Sequence, residues 1–439
     1  MYLTRIVQRA NIYVLALLLL VAAGCSTYTS KMEESRESFF EGRYDEALSG
    51  LGELIEGAKG NDLFLYRLER GKVFLAAGRY DSAIVDLQAA EERFSDIEGT
   101  ISIPEMISTT LLHPGKGEYQ PENHEKILIS SYLLLAYWMN GDREGAFVER
   151  NRIIRKIGMY LNVLPEEDRE RLDIPFARYL AGLLYEAEGM ADDARIEYSR
   201  VEALQPEAAP AAVLPRLTEM VVFADLGRGP VKVSREIRGY FQRDGGFLQG
   251  VFMLPGLVDP FIFNLGAGHG FSPDRLGVLF TFAFPQLVRQ ERFIHSCRVV
   301  VDGVEAGEAV LLDDIEQTAD AAFERQLPKI LVKSAVRAYL KTLAQTKLKD
   351  KAGGAVDVLG KLLSAVDRAD TRSWQTLPAE VHLYRLETTP GDHEVYIDYY
   401  DDQDNYIGSS EIVRQVMVTS GGKGIAYFPH GLIVRRDRD

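Results

Sequence analysis

The spacing of apolar residues changes near residue 206. Before that point apolar residues recur every three or four positions, which is the spacing of helices that bury one face. After it, in runs such as 381–383 and 395–399, they alternate as in β-strands. Pro206, Pro210 and Pro215, interleaved with alanine, mark the change. We therefore predict a helical domain, a linker over 207–215 and a strand-containing domain over 216–439.

The second domain is predicted to mix strands with helices. Asp302 and Gly303 predict a hairpin turn between two strands. A helix is predicted over 313–326, and Pro328 is expected to open a second one, because proline is tolerated in the first turn. A shorter helix is predicted over 355–367. From Ala379 onwards, short alternating runs resemble the edge of a β-sandwich, so we expect an α+β domain with β-sandwich-like strands and inserted helices.

The helical domain contains a repeat. The six residues from Gly42 to Ala47 recur, 36 positions later, as Gly78 to Ala83. A period near 34 residues is typical of tetratricopeptide (TPR) arrays, in which each repeat is a pair of antiparallel helices. We predict an all-α TPR-like solenoid of four hairpins over 29–206, in place of a plain helical bundle. The residues expected to support its structure are Gly42, Tyr44, Ala47, Gly71, Gly78, Tyr80, Ala83, Gly182, Tyr185, Gly189 and Ala194.

The array has two irregular features. Arg143 and Arg150 occupy normally apolar positions of the third repeat. An insertion near 97–122, rich in proline and glycine, separates the second and third repeats, and is either a binding loop or a spacer. TPR arrays curve, and their inner helices line a groove that receives a segment of a partner. The groove is therefore the expected binding site.

The N-terminus has the pattern of an export signal. Two arginines precede 12 apolar residues, too few to span a membrane, and small residues follow. The sequence Ala22-Ala23-Gly24-Cys25 resembles the bacterial lipobox, in which the cysteine is acylated and becomes the first residue. We predict a signal peptide over 1–24 and a lipidated tether over 25–28. Ser26 after the cysteine resembles the signal for the outer membrane, and two or more acyl chains anchor stably.

Charge and cysteine content narrow the possible partners. Removing residues 1–24 takes away two arginines and no acid, so the formal charge moves from −15 to −17. Such a chain is repelled by nucleic acid, and we expect no nucleic-acid partner. Once Cys25 is acylated, Cys297 is the remaining thiol. It lies in a strand-like run and is expected to be a small core residue.

Local motifs for catalysis or metal binding are weak. The glycines at 266–270 lack the strand and helix of a dinucleotide site. Ser420 and Lys423 match a Ser-x-x-Lys motif, but they lie among turn glycines. The seven histidines are scattered, and the acidic run 401–405 lacks the glycine and distal glutamate of an EF-hand. We therefore predict no enzyme activity, no metal and no cofactor.

One charge pattern suggests a basic surface on a helix. Lys329, Lys333, Arg337 and Lys341 recur at every fourth position of the predicted helix after Pro328, which forms a basic stripe. The stripe is either a solvated helix face or a contact for an acidic partner.

The segment 369–378, Ala-Asp-Thr-Arg-Ser-Trp-Gln-Thr-Leu-Pro, is the most specific motif. Together with the lipobox and the repeats, it resembles a family of bacterial TPR-containing outer-membrane lipoproteins to which no reaction is assigned. In this segment Asp370 can pair with Arg372, while Trp374 either fills a junction between sheet and helices or binds a partner.

The resemblance implies a lipid-anchored, periplasm-facing protein of the outer membrane. We interpret it as a non-catalytic scaffold that binds cell-envelope proteins through the TPR groove. The alternatives are an envelope enzyme with a site around Asp370, Arg372 and His269, or a structural tether between the outer membrane and the cell wall.

Overall fold

The computed structural model describes residues 27–58, 60, 62–100, 119–244, 247–253, 260–267, 279–352, 369–430 and 433–434. In the described part of the N-terminal domain, helices pair into four antiparallel hairpins. The pairs are α1 (Tyr28–Phe40) with α2 (Tyr44–Gly57), α3 (Leu63–Ala76) with α4 (Tyr80–Thr100), α5 (Asn123–Met139) with α6 (Arg143–Asn162), and α8 (Pro175–Ala187) with α9 (Ala191–Leu204). The short helix α7 (Glu166–Leu172) precedes the last pair. We call α1, α3, α5 and α8 the inner helices, and α2, α4, α6 and α9 the outer helices.

The described part of the C-terminal domain contains three sheets. The first has the strand order β13-β1-β9-β8, the second β14-β11-β10-β6-β7 with β12 also on β10, and the third β4-β3-β2-β5. The strands are β1 (Glu219–Leu226), β2 (Val231–Asp244), β3 (Phe247–Phe252), β4 (Phe261–Ala267), β5 (Leu279–Val288), β6 (Ser296–Val301), β7 (Val304–Glu308), β8 (Val310–Asp314), β9 (Glu380–Glu387), β10 (Gly391–Tyr400), β11 (Tyr406–Ser410), β12 (Arg414–Val418), β13 (Lys423–Phe428) and β14 (Ile433–Val434).

Strand β1 lies between two cores. It pairs in parallel with β13 and antiparallel with β9, and all eight of its residues are buried. Met220 and Val222 face the second sheet and join a sandwich core. Val221 and Phe223 point the other way and join the core of the inner helices. Because side chains alternate along a strand, the first sheet packs on the second sheet with one face and on the repeat array with the other.

The third sheet packs on one long helix. Helix α10 (Ile315–Ala352) covers strand β5, with Leu331 and Ala335 against Phe282 and Phe284. The prediction that a second helix begins at Pro328 is wrong, because α10 continues through this proline. Pro328 is exposed, and packing against the sheet core on both sides of it offsets the missing hydrogen bond. The helix predicted over 355–367 lies outside the described residues.

Two connections have well-defined structures. Asp302 and Gly303 have φ values of 52° and 79° between β6 and β7, as a tight hairpin turn requires, so that prediction is confirmed. The predicted linker is not loose. Ala208 is buried, and the Leu214 amide donates to Glu186 across 2.9 Å. The described chain follows the predicted order of helical hairpins and then an α+β region, but the two parts are packed together.

Candidate interaction groove

The four hairpins share the turn geometry of a repeat array. Two residues after the end of each inner helix stands a glycine with positive φ, which glycine adopts without strain. In each turn the amide of the next residue donates to the carbonyl five positions before it, as Arg79 does to Phe74 across 2.9 Å. The four glycines are Gly42, Gly78, Gly141 and Gly189, with φ of 74°, 72°, 78° and 79°.

Small residues let the paired helices approach closely. A Cβ on Gly71 would lie 2.7 Å from Leu87, and one on Gly182 would lie 2.8 Å from Tyr198. Each outer helix buries an alanine completely or almost completely against its partner, namely Ala47, Ala83, Ala146 and Ala194. Tyr44 and Tyr80 open the first two outer helices. The N-terminal part is therefore a TPR-like repeat array.

The third repeat, which has arginines at normally apolar positions, is stabilised by stacking of one of them on aromatic rings. Arg150, at a normally apolar position, places its guanidinium 4.1 Å from the ring centroid of Tyr185 and 5.1 Å from that of Phe147. A stacked guanidinium covers aromatic surface while it stays charged. Arginine at this position is thus compatible with the repeat.

The groove lined by the inner helices is filled by the protein's own C-terminal domain. The residues from Ala369 to Ala379, which we call the groove segment, lie along it as an irregular chain with a turn at Gln375 and Thr376. Two buried carboxylates of the inner helices, Glu69 and Glu125, accept backbone hydrogen bonds from it. An unpaired backbone N–H is costly when buried, so these carboxylates determine where the segment lies.

Three consecutive amides of the segment are bound in this way. The Trp374 amide donates to Glu125 Oε1 across 2.8 Å. The Gln375 amide donates to Glu69 Oε1 across 2.7 Å, and the Thr376 amide to Glu69 Oε2 across 2.9 Å. Two carboxylates of the repeat array thus hold three backbone amides of a segment that the same chain supplies.

The side chains of the segment are also buried. Trp374 is 2% exposed, its ring meets that of Tyr132 edge-on at 5.7 Å, and its indole N–H donates to Thr376. Gln375 lies between Arg36 and Thr29 of α1, at 3.4 and 2.9 Å. The interpretation of Trp374 as a free partner-binding residue does not fit this burial. It fills the junction between helices and sheet.

A buried ion pair also joins the repeat array to the first sheet. Lys72, fully buried in α3, donates to Asp225 across 2.6 Å and also to the Tyr427 hydroxyl. Its ammonium lies 3.6 Å from the ring centroid of Tyr132. Burial lowers the pKa of Lys72, while Asp225 acts in the opposite direction. Inner helix and sheet thus share one buried ion pair.

The fourth repeat contributes a further cluster. The Arg385 guanidinium donates to Glu186 of α8 across 2.8 Å and pairs with Glu219 of β1. Lys423 of β13 also pairs with both carboxylates. Burial tends to raise the pKa of Glu186, but its contacts with Arg385, Lys423 and Tyr198 together lower it. Each inner helix therefore has polar contacts or apolar packing with the C-terminal domain.

Sequence reasoning did not identify Glu69, Glu125 or Lys72. One signal was present. Glu69 and Lys72 lie in a helix whose uncharged residues, apart from Gly71, are apolar, and a charged residue that such a helix buries needs a partner. Burial raises the pKa of Glu69 to about 7, although its three hydrogen-bond donors act to lower it.

The basic stripe is not one exposed surface. Lys329 is exposed and Lys333 is partly buried, while Arg337 is 6% exposed. The Lys341 side chain lies outside the described residues. Because α10 packs on the third sheet, its rotation turns Arg337 inward. The hypothesis of a four-residue cationic ridge is therefore wrong for Arg337.

Two residues of the alternative enzyme site, Asp370 and Arg372, are already paired. Asp370 pairs with Arg372 at 2.7 Å, as expected from the sequence, and Arg372 also contacts Asp62 at 3.1 Å. His269 lies outside the described residues. Cys297 is fully buried, and burial raises the pKa of its thiol, which keeps it in the less reactive neutral form.

Two further features are absent from the described part of the chain. No group of three or more histidine, cysteine or acidic side chains there is arranged to hold a metal ion. None of the described helices is long and apolar enough to cross a membrane.

Comparisons with known proteins add little to this geometry. No family model and none of the curated proteins match the chain. The crystal structure of MamA protein aligns at 17% identity over 40% of this chain and 73% of that one, with a TM-score of 0.26. A putative kinesin light chain from Podosopora anserina, with nearly identical TPR-like repeats, aligns at 15% identity over 45% and 87%, with a TM-score of 0.29. Likeness this weak supports no argument, and the repeat fold is inferred from the hairpin geometry.

Proposed function

We propose that this protein is a periplasm-facing lipoprotein of the outer membrane that acts as a non-catalytic scaffold for cell-envelope proteins. The repeat fold supports a role in protein binding, since solenoids present extended surfaces. The sequence features around Cys25 support the lipid anchor. The observation that shapes the proposal is the filled groove, because the groove segment occupies the surface on which a TPR partner would be expected.

The partner surface is therefore assigned to the outer helices. Val85, Val148 and Ile196 are 65%, 50% and 60% exposed. Each lies two residues after the buried alanine of its outer helix and seven after the turn glycine. In the first repeat Ser49 occupies this position. Single exposed apolar residues are common, but three at one repeat position form a row along the array.

Such a row suits an elongated protein segment with apolar side chains. Stacked repeats place equivalent residues at regular intervals, and exposed apolar surface on a soluble protein is often a contact site. The proposed partner is an envelope protein that lies along this row, outside the groove.

Affinity purification from solubilised envelopes tests the proposal. The wild type is compared with a variant that carries Val85→Lys, Val148→Lys and Ile196→Lys. The matched control is Met417→Lys, because Met417 is 60% exposed but lies on β12. Exposed substitutions usually change stability by no more than about 0.5 kcal/mol, which melting curves would verify.

We expect wild type and control to recover the same proteins in stoichiometric amounts, and the triple variant to lose them. Equal recovery by all three would exclude the row as the contact surface. Failure of the wild type to retain any stoichiometric protein would contradict the scaffold itself. Cys25→Ala tests the anchor separately, since it should release the protein from membranes or block its processing.

A further inference from the structure

The folded body begins immediately after the proposed anchor. Thr27 is the N-cap of α1, and its hydroxyl accepts a hydrogen bond from the Ser30 amide at 3.3 Å. The next residue, Tyr28, is 6% exposed and stacks on Tyr66 with ring centroids 5.3 Å apart. Its hydroxyl donates to Glu69 across 2.9 Å. The chain is therefore fixed to the body from residue 27 onwards, one residue before the end of the predicted tether.

The start of α1 is also joined to the C-terminal domain. The Thr29 hydroxyl lies 2.7 Å from the Lys232 carbonyl of β2 and 3.3 Å from the Thr371 carbonyl of the groove segment. Nearby, the Ala369 amide donates to Ser234 of β2 across 3.1 Å. These contacts bring the first turn of α1, the start of β2 and the start of the groove segment to one face, which we call the anchor face.

We propose that the anchor face lies directly against the bilayer surface in the lipid-anchored protein. This inference rests on the proposed acylation of Cys25. An extended chain spans at most about 3.3–3.6 Å per residue, so the two steps from Cys25 to Thr27 cover about 7 Å. A headgroup layer is roughly 5–8 Å thick, given a hydrocarbon core of about 30 Å in a bilayer of about 40–45 Å. The anchor is thus about as long as the headgroup layer is thick, which is too short to separate the body from the headgroups.

The short chain between the acylated Cys25 and Thr27, and not charge, holds the anchor face at the membrane. Lys31 and Arg235 are exposed near the start of α1 and β2, but Glu33, Glu34 and Glu236 are exposed beside them. Mixed charges give no strong attraction to anionic lipid. The contact should therefore persist when salt shortens the Debye length from about 10 Å at 0.1 M to about 3 Å at 1 M.

Fluorophores attached to single cysteines can measure this orientation. Cys297 is fully buried and Cys25 is acylated in the proposed form, so an introduced surface thiol is labelled selectively. The test positions are Lys31→Cys and Arg235→Cys, and the distant position is Asp192→Cys, whose side chain is 95% exposed on the fourth outer helix. The acylated full-length protein is placed in vesicles that contain a lipid with a nitroxide headgroup.

We expect the labels at 31 and 235 to be quenched several-fold more than the label at 192, at both salt concentrations. The matched control inserts 12 glycine and serine residues between Ser26 and Thr27. Such a linker has an end-to-end distance of about 19 Å, so quenching at 31 and 235 should fall.

Two results would overturn the inference, and they are distinguishable. Acylated protein, verified by mass, with equal quenching at all three positions would show that the body is not held at the surface, while the lipoprotein proposal would stand. An N-terminal cysteine without acyl mass would overturn the anchor and this inference together.

Discussion

The inner and outer helices of the array share one repeat pattern but have different surroundings. Inner helix α5 buries 12 of its 17 residues, whereas outer helix α6 buries 7 of 20. The inner helices lie between the outer helices and the first sheet, so polar groups on either of their faces need protein partners. The outer helices keep one face in water. The comparison shows that the repeat determines how the hairpins form. Packing against the C-terminal domain determines which residues of the inner helices are buried and which polar groups need protein partners.

Ion pairs of the inner and outer helices differ most clearly in their exposure to solvent. Lys72 of an inner helix and Asp225 are 0% and 3% exposed. Arg79, which immediately precedes outer helix α4, pairs with Asp45 of α2, and these two residues are 49% and 82% exposed. A buried pair is costly to break because one charge is left uncompensated, whereas an exposed pair contributes little.

The largest expected effect follows from Asp225→Ala. It leaves Lys72 buried without its carboxylate, and we expect the free energy of unfolding to fall by about 3–5 kcal/mol. Urea denaturation followed by circular dichroism measures this loss. The outer-helix control Arg79→Ala should cost less than about 1 kcal/mol.

A second variant separates charge from packing at this position. Adding Lys72→Met to Asp225→Ala removes the uncompensated charge, so it should recover a large part of the stability. Equal losses for Asp225→Ala and Arg79→Ala would contradict the distinction between the buried and the exposed pair.

An intermediate effect on stability is expected at the interface between inner and outer helices. In Gly182→Ala the new Cβ would lie 2.8 Å from the Tyr198 ring, and overpacking of this kind costs about 1–3 kcal/mol. Gly52, in an outer helix, has nothing within 4 Å of its Cβ position. Gly52→Ala should therefore stabilise the protein by up to about 1 kcal/mol. Melting temperatures that shift in the same direction for both variants would contradict the close contact of Gly182 with Tyr198.

The smallest effect concerns pH and the start of an inner helix. Asp313 of β8 is 1% exposed and accepts a hydrogen bond from the Phe176 amide of α8 at 3.0 Å. Burial raises the pKa of Asp313 to about 8, although this hydrogen bond acts to lower it. Between the unfolded pKa near 4 and this value, the folded protein binds more protons than the unfolded chain. Stability should therefore fall as pH rises through this range.

Asp313→Asn removes this contribution and keeps an acceptor for the Phe176 amide. We expect the variant to lose less stability than the wild type between pH 6 and 7, by about 1 kcal/mol. Some slope should remain, because the pKa of Glu69 is also raised, to about 7. Parallel stability curves for wild type and variant would show that Asp313 is ionised in the folded state.

Local signals in the sequence predicted much of the fold. Gly78 and Gly189 were identifiable because a hairpin turn requires positive φ, and Ala83 because closely paired helices need a small residue. Strand alternation identified β9 and β10, and Asp302 with Gly303 identified a turn. The continuation of α10 through Pro328 was not predictable, because packing against a distant sheet overrides the local preference of proline.

The sequence by itself determined the repeat, the strand periodicity and the pattern around Cys25, because each depends on residues that are close together in the chain. Only the tertiary structure decided that the groove is filled. That outcome depends on contacts such as Gln375 with Glu69, which are 306 residues apart. It also decided that Trp374 is buried and that Arg337 turns inward, since the environment of a side chain is set by the elements packed against it, and no local pattern records which elements those are.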